Sequence, residues 1–390
     1  MLDPQAVSHK EVGQIMFGIV KGALTLGAVA LSALLLAGCA APDSAGGASA
    51  PPDAVAQKAS EAIKADLIRP TSIGVTAPLE GPVPKGKVIY WMQCGSPACA
   101  VVGGAIKEAT DAVGWELKVI DAGLTPESIK AAWQQAVLGD PDAVLTSGFS
   151  RALFEEELAQ LSARNVPVLN MTTAEPPEKG ITAAQKWGPD FTEQGARLAN
   201  YVLSRAGKHT NAVAFSTSAF PNIKMVSDSF SKTISESCPE CQVDIEDLPI
   251  DALGNDLSTR VVTYLQSHPD VNWVYMGYSD MMIGLPAALE AGGIDDSVGF
   301  VTLDTSPTTS AYLSTGKYLQ AVDTSPTWEA AFRQVDFLLR YFNGEDTEPS
   351  TAHTLPVWIV TKDTLPSTTE DFPLVVDYAK QYEELWGVTP

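Results

Sequence analysis

Residues 87–121 have the sequence KVIYWMQCGSPACAVVGGAIKEATDAVGWELKVID, and this stretch decides the fold. The apolar run at 87–93 predicts a strand, and the amphipathic spacing over 98–113 predicts a helix that ends at Gly114. A second apolar run at 116–121 predicts another strand. A strand, a helix and a strand with short connections are typical of a parallel βαβ unit.

The alternation of strands and helices continues outward from this unit. It runs to residue 171, starts again at residue 192 and continues to residue 323. Short apolar strands between helices predict parallel sheets that are covered by helices on both faces. Two such series predict an α/β protein with two doubly wound parallel-sheet lobes. The remaining residues are too few for a third domain and must complete the two lobes. The chain is therefore expected to cross between the lobes near residues 185–190, 323–326 and 356–366, which together form a multi-strand hinge.

The composition predicts a globular, acidic protein. Of 390 residues, 45% are hydrophobic and 18% are charged, and Asp and Glu outnumber Lys and Arg by 47 to 25 for a net charge of −22. A chain longer than roughly 250–300 residues usually divides into two domains. Because so acidic a surface repels phosphate backbones and anionic lipids, we expect no nucleic-acid partner.

The N-terminus predicts export and attachment to a lipid. Residues 22–37 form an uncharged apolar run that is shorter than the ~20 residues of a membrane span. The tetrad LAGC at 36–39 resembles the bacterial lipobox, in which the cysteine is acylated. We therefore expect residues 1–38 to be a signal peptide and Cys39 to carry the lipid that anchors the protein outside the cytoplasm. An uncleaved anchor helix is the alternative, and translation starts at Met1 or Met16.

The other four cysteines form two pairs of near neighbours. Cys94 and Cys99 are five residues apart, and Cys238 and Cys241 are three apart. Outside the cytoplasm this spacing predicts two local disulfides. A redox role for the second pair is disfavoured, because it precedes a predicted strand whereas reactive thiolates favour helix N-termini. The four histidines are scattered, so we expect no metal ion and no other cofactor.

Several short motifs occur in a fixed order along the chain. They are PKGK at 84–87, NVPV at 165–168, YSD at 278–280, AGG at 291–293, VTLD at 301–304, TGK at 315–317 and QAVD at 320–323. In this order they resemble the type I periplasmic binding proteins, specifically the sugar-type substrate-binding subunits of ABC importers, over about residues 83–344. The resemblance implies two lobes that close on a small-molecule ligand, an ABC permease in the membrane as partner, and a monomer.

The expected function is that of a membrane-anchored, extracytoplasmic lipoprotein that binds a sugar or sugar-like compound for an ABC importer. Sugar binders of the family carry stacking aromatics where this chain has Pro97-Ala98-Cys99, and often Asp-Arg where it has Asn170-Met171. An apolar, aromatic or other non-sugar ligand is therefore one alternative, and a ligand-presenting sensor for a membrane receptor is another. An enzyme is not expected, because no nucleophile elbow, phosphate-binding loop or dinucleotide motif lies at a strand-to-helix turn.

The predicted boundaries follow from the crossings between the lobes. They are a signal peptide at 1–38, a lipidated tether and lead-in at 39–82, an N-terminal lobe at 83–187 plus 325–355, and a C-terminal lobe at 188–324 plus 356–390.

The predicted ligand site lies where the two lobes face each other. Ligands of doubly wound sheets bind beyond the carboxyl ends of the strands, and two facing lobes place both sets of ends around one cleft. The residues expected to bind the ligand are therefore those after the strands and at the first crossing: Gln93, Ser96, Asp121, Phe149, Asn170, Met171, Trp187, Asp190, Phe220, Asn222, Tyr278, Asp280, Asp304 and Asp323.

Overall fold

The first lobe is built on a five-stranded parallel sheet. A computed structural model of the protein describes residues 53–249, 252–352 and 354–388. The predicted signal peptide and the predicted lipid attachment at Cys39 lie outside these residues. The strand order is β2-β1-β3-β4-β5. These strands are β1 (Val88–Cys94), β2 (Glu116–Gly123), β3 (Ala143–Ser147), β4 (Val168–Thr173) and β5 (Ala183–Trp187).

The second lobe is built on a six-stranded sheet of order β11-β10-β9-β8-β6-β7, in which β11 alone runs antiparallel to its neighbour. The predicted class of two doubly wound lobes is thereby confirmed. The strands are β6 (Asn211–Ser216), β7 (Gln242–Asp247), β8 (Trp273–Met276), β9 (Gly299–Leu303), β10 (Leu319–Thr324) and β11 (Trp358–Thr361).

Helices cover both faces of each sheet, and their buried side chains form separate apolar cores against the strands. This burial explains the nearly continuous apolar strands of the sequence. The helices are α1 (Ala54–Ala62), α2 (Pro97–Ala112), α3 (Pro126–Leu138), α4 (Glu155–Ala163), α5 (Gly188–Ala206), α6 (Pro221–Ser237), α7 (Leu257–Ser267), α8 (Leu285–Ala291), α9 (Pro307–Thr315), α10 (Thr327–Asn343) and α11 (Tyr378–Trp386).

Proline starts the helices that follow β1, β6 and β9. Pro97, Pro221 and Pro307 occupy the first turns of α2, α6 and α9. Proline suits this position because its missing N–H would have no partner in the helix and its fixed φ is already helical. Each strand thus turns sharply into its helix, and the short turn is left at the carboxyl edge of the sheet.

The sequence predicts that the C-terminal residues 356–390 belong to the second lobe, but only part of this segment does. The strand β11 pairs with β10 there, but α11 packs in the core of the first lobe. Tyr378, Tyr382 and Trp386 surround Phe332 of α10, with ring centroids 5.1–5.6 Å apart. This aromatic cluster brings the chain back across the hinge once more than the sequence indicates.

The predicted lead-in is also part of the folded body. Helix α1 buries Ala59 in the second lobe against α5, and Asp53 caps it by accepting hydrogen bonds from its first turn. Further along, Ile73 and Val75 are buried in the core of the first lobe. Residues 53–82 therefore connect the two lobes, and the part of 39–82 that the structure describes is not a free tether.

Candidate functional site

A cavity of about 330 Å³ lies between the lobes, at the carboxyl ends of the strands of both sheets. The first lobe contributes residues that follow β1 and β3 and the ends of β4 and β5. The second lobe contributes the turns after β6, β8, β9 and β10. A ligand held there would contact both lobes, which is the arrangement that the strand-end rule predicts.

The Cys94–Cys99 disulfide lines this cavity. Its Cα atoms are 5.6 Å apart, and it links the last residue of β1 to the first turn of α2. The second predicted disulfide, Cys238–Cys241, joins the end of α6 to the start of β7. Both predicted pairings are confirmed. The first pair contributes to the wall of this cavity, whereas the second lies outside the cavity lining.

Four aromatic side chains contribute to the cavity wall: Phe149 from the first lobe, and Phe191, Phe220 and Tyr278 from the second. Phe149 and Phe191 are buried, at 8% and 1% exposure. Phe220 and Tyr278 meet edge to face, with centroids 6.2 Å apart. Burial and the nearby Asp280 carboxylate raise the pKa of Tyr278, so its hydroxyl stays protonated and able to donate a hydrogen bond.

Three carboxylates also line the cavity. Asp280 follows β8, Asp304 follows β9, and Asp371 comes from the segment between β11 and α11. Burial raises the pKa of Asp280 above its ordinary value, and the Asp304 carboxylate raises it further. Burial likewise raises the pKa of Asp371. Asp280 and Asp371 are thus partly removed from water before any ligand is bound, whereas the Asp304 side chain is 42% exposed.

Lys186 is a cavity residue that the sequence reasoning missed. It is 8% exposed, donates a hydrogen bond to the Ser325 hydroxyl, and places its Nζ atom 4.0 Å from Asp304 Oδ1. The Nζ atom also lies 5.2 Å from the centroid of Phe191. The sequence of β5, AAQKW, does not predict a strand, so the strand-end rule indicates no ligand residue at position 186. Trp187 was predicted instead, and its side chain lies outside what the structure describes.

Left-handed backbone conformations occur at three non-glycine residues of the cavity. Thr172, Lys186 and Asp304 have φ values of 56°, 52° and 61°. This region is strained for residues with a Cβ atom, most of all for β-branched threonine. Strained residues occur most often where function fixes a side chain. The two charged members of this group, Lys186 and Asp304, face each other.

Seven of the predicted ligand residues line the cavity. They come from the turns after β1, β3, β6, β8 and β9, which supports the strand-end rule at these positions. They are Ser96, Phe149, Phe220, Asn222, Tyr278, Asp280 and Asp304.

In the first lobe, four predicted ligand residues lie outside the cavity. Asn170 is buried within β4, and Met171 packs against Ala330 and Leu355, because β4 continues two residues beyond its predicted end. Exposed Asp121 accepts a hydrogen bond from the Gly123 amide at 2.9 Å. Gln93 lies within β1, and its side chain packs against Gly103 of α2.

Asp323 and Asp190 also lie outside the ligand cavity, at the hinge. Asp323 is 1% exposed and accepts a hydrogen bond from Arg197 Nε at 2.9 Å and one from Gln194 Nε2 at 3.2 Å. Asp190 lines a separate small cavity with Arg197 and Asp323. The role of Asp323 is therefore that of a buried ion-pair partner that joins β10 to α5, rather than a ligand contact.

Within residues 53–249, 252–352 and 354–388, no group of three or more His, Cys, Asp or Glu side chains is arranged to hold a metal ion. No helix in the described part of the chain is long and apolar enough to cross a membrane.

Comparisons with known proteins agree with this architecture. The sequence profile of a family described as periplasmic binding protein domain matches residues 83–346. An ABC sugar transporter subunit from Rhodobacter sphaeroides has 19% identity and a TM-score of 0.61, and the alignment covers 71% of this chain and 98% of that one. No curated protein sequence matches the chain.

Two other solved structures have the same fold. A glucose-galactose binding protein from Geobacillus stearothermophilus is 19% identical, with a TM-score of 0.63 over 73% of this chain and 100% of that one. A periplasmic solute binding protein of an ABC transporter from Actinobacillus succinogenes, solved with bound D-allose, is 14% identical, with a TM-score of 0.62 over 72% and 99%. At these identities the similarity establishes the fold.

Proposed function

The chain belongs to the type I periplasmic binding protein family, and from this premise we propose that it is the substrate-binding lipoprotein of an ABC importer. It captures a sugar or sugar-like small molecule in the cavity between its lobes and delivers it to a membrane permease. Membership of this family also makes the chain a binding protein rather than an enzyme.

The observation that carries the proposal is the position of the cavity. It lies between the carboxyl ends of both sheets, and all but one of its lining residues fall within the segment that matches the family profile. Hydroxyls, the Asn222 amide and three carboxylates share it with aromatic rings. Polar groups that fix orientation and rings that cover an apolar face are what a sugar ring requires. The similar structures from Geobacillus and Actinobacillus are named for sugars of this kind.

The cellular placement of the proposal comes from the N-terminal sequence. The apolar run at 22–37 and the lipobox-like tetrad at 36–39 support export and acylation of Cys39. Two local disulfides in the folded body agree with an oxidising compartment. We infer that the protein is held at the outer face of the cell membrane by this lipid, where it meets its permease as a monomer.

Ligand capture is tested by thermal unfolding with a panel of monosaccharides that includes glucose, galactose, allose and arabinose. A ligand that binds the folded state raises the melting temperature by mass action. Replacing Asp304 by asparagine removes a carboxylate from the cavity, and asparagine tolerates the left-handed backbone there. We expect Asp304→Asn to weaken binding by more than about tenfold, since it removes a charge-assisted hydrogen bond.

The matched control is Asp296→Asn, because exposed Asp296 precedes β9 whereas Asp304 follows it. We expect this control to bind like the wild type. A well-folded Asp304→Asn protein with unchanged affinity would remove Asp304 from the binding site. A panel in which no monosaccharide changes the melting temperature would contradict the sugar-like class of the ligand.

A further inference from the structure

The charges of the ligand cavity are unbalanced. Of the described residues that line it, Asp280, Asp304 and Asp371 carry carboxylates, and Lys186 is the one with a cationic side chain. We propose that the ligand of this cavity carries a protonated amine, which these carboxylates bind. This inference rests on the proposed function and adds the chemical class of the ligand.

Asp280 and Asp304 form the first part of this acidic surface. They follow neighbouring parallel strands, β8 and β9, and are close enough for their charges to repel. Within the described residues, the Asp280 carboxylate has no hydrogen-bond or ion-pair partner. A positive charge placed beside Asp280 and Asp304 would replace this repulsion by attraction, and it would do so more strongly as water leaves the cavity.

Lys186 neutralises this surface only in part. Its Nζ atom is 4.0 Å from Asp304 Oδ1, which is at the limit of an ion pair, and it donates a hydrogen bond to Ser325 instead. Asp304 Oδ1 is itself buried without a hydrogen-bond partner among the described residues, although the Asp304 side chain as a whole is 42% exposed. A buried carboxylate oxygen without a donor is costly. An ammonium group on the ligand would supply the missing donor.

Asp371 adds a third carboxylate from outside the segment that matches the family profile, which ends at residue 346. The chain around it is held firmly. Phe372 and Leu374 are buried in the second lobe, and Arg69 donates hydrogen bonds at 2.8 Å to the Pro373 and Leu374 carbonyls. The position of the Asp371 backbone is therefore fixed by the fold.

The balance of donors and acceptors favours an amine over a neutral sugar. Each sugar hydroxyl both donates and accepts hydrogen bonds, so a sugar site needs protein donors as well as acceptors. Lys186, the Asn222 amide and several hydroxyls can donate to such a ligand, but the three carboxylates only accept when ionised, and no arginine or histidine is among the described lining residues. An ammonium group donates three hydrogen bonds and accepts none. It therefore matches this cavity better than a further hydroxyl would.

The aromatic walls suit the rest of such a ligand. Phe220 and Tyr278 lie in the same lobe as Asp280, and the Cys94–Cys99 disulfide faces the cavity from the other lobe. Aromatic faces attract cations as well as apolar ring surfaces. We infer a ligand with an amine at one end and a sugar-sized or aromatic ring as its body.

The experiment compares matched pairs of compounds that differ in the amine. Binding of glucose and glucosamine, and of benzyl alcohol and benzylamine, is measured by calorimetry near neutral pH and at two salt concentrations. We expect the amine of at least one pair to bind about tenfold more tightly than its alcohol, with an advantage that shrinks at high salt. Asp280→Asn and Asp371→Asn should each reduce this advantage several-fold.

Glu370→Gln is the control for Asp371→Asn. Glu370 is exposed, adjacent to Asp371 and outside the cavity lining, so its loss removes the same charge from the surface and should leave the amine advantage intact. An equal reduction in Glu370→Gln would show that the effect is general surface charge, and would overturn the inference.

The outcomes separate the two proposals. If glucose binds and glucosamine binds no more tightly, the amine inference is wrong while sugar capture stands. If the amines bind and the asparagine variants lose the advantage, the inference is supported even where the monosaccharide panel is silent. If none of the four compounds binds, the amine inference is overturned for both ring classes, and the monosaccharide panel decides the proposed function separately.

Discussion

Glu329 is a buried carboxyl group that should make the stability of this protein depend on pH. It lies in the first turn of α10 and is fully buried. Its Oε1 atom accepts a hydrogen bond from the Val375 amide at 2.7 Å, whereas Oε2 is buried without a partner among the described residues. Burial raises the pKa of Glu329 from 4.5 to about 7, despite hydrogen bonds from backbone amides that lower it.

The direction of the pH effect follows from proton binding. Between pH 4.5 and about 7 the folded protein keeps the proton of Glu329, whereas the unfolded chain releases it. The folded state binds more protons in this window, so its stability falls as the pH rises through it. A rise in pKa from 4.5 to about 7 corresponds to a loss of about 3 kcal/mol by pH 8.

The test is Glu329→Gln, which keeps an oxygen for the Val375 amide and cannot ionise. Unfolding by urea is followed from pH 4.5 to pH 8, and the free energies of the two proteins are subtracted so that other titrating groups cancel. We expect the variant to gain on the wild type by about 3 kcal/mol across this range. Glu370→Gln, at an exposed position, is measured in the same way as the control for the loss of one surface carboxyl. A difference for Glu329→Gln that does not change with pH would refute the assignment of a raised pKa.

Two further predictions concern the hinge and the tether. Asp323→Ala should lower the free energy of unfolding by about 3 kcal/mol, because it removes the buried carboxylate that pairs with Arg197, whose side chain is only 14% exposed and keeps just a 4.0 Å contact with Glu193; equilibrium unfolding measures this loss. A loss below 1 kcal/mol would show that the pair is not needed. Cys39→Ser should move the protein from the membrane fraction of the producing cells to the soluble fraction, because serine cannot take the lipid. Retention in the membrane fraction would contradict lipidation.

Most of the fold could be predicted because parallel strands buried on both faces are apolar along their whole length. The strand β5 was missed for the opposite reason. Its sequence AAQKW has no apolar run, and its burial depends on tertiary contacts such as the hydrogen bond from Gln185 to the Ser350 carbonyl at 2.9 Å. The packing of α11 on α10 is of the same kind, since an aromatic cluster between distant segments leaves no local pattern.

The cavity residues could be predicted after strands whose ends are clear in the sequence, but not after strands that extend further than the sequence indicates. The turn after β8 delivered Tyr278 and Asp280 to the cavity, but β4 extends to Thr173, so Thr172 takes the place expected of Asn170. Asp371 had no signal of this sort. It reaches the cavity through a segment fixed by Arg69, which lies about 300 residues away in the sequence.

The contacts near the hinge indicate which interactions can change when the lobes close on a ligand and which stay the same. The Arg197–Asp323 pair joins α5 to β10 within the second lobe, so it moves with that lobe and is kept when the lobes rotate. Lys186 is different, since its contact with Asp304 is long and its hydrogen bond to Ser325 joins the first crossing to the second. A ligand that binds Asp304 would compete with Lys186 for the same carboxylate. Ligand binding would then be linked to the hinge through Lys186, and the ligand would favour the closed form only by the difference between its binding free energies for the closed and open forms.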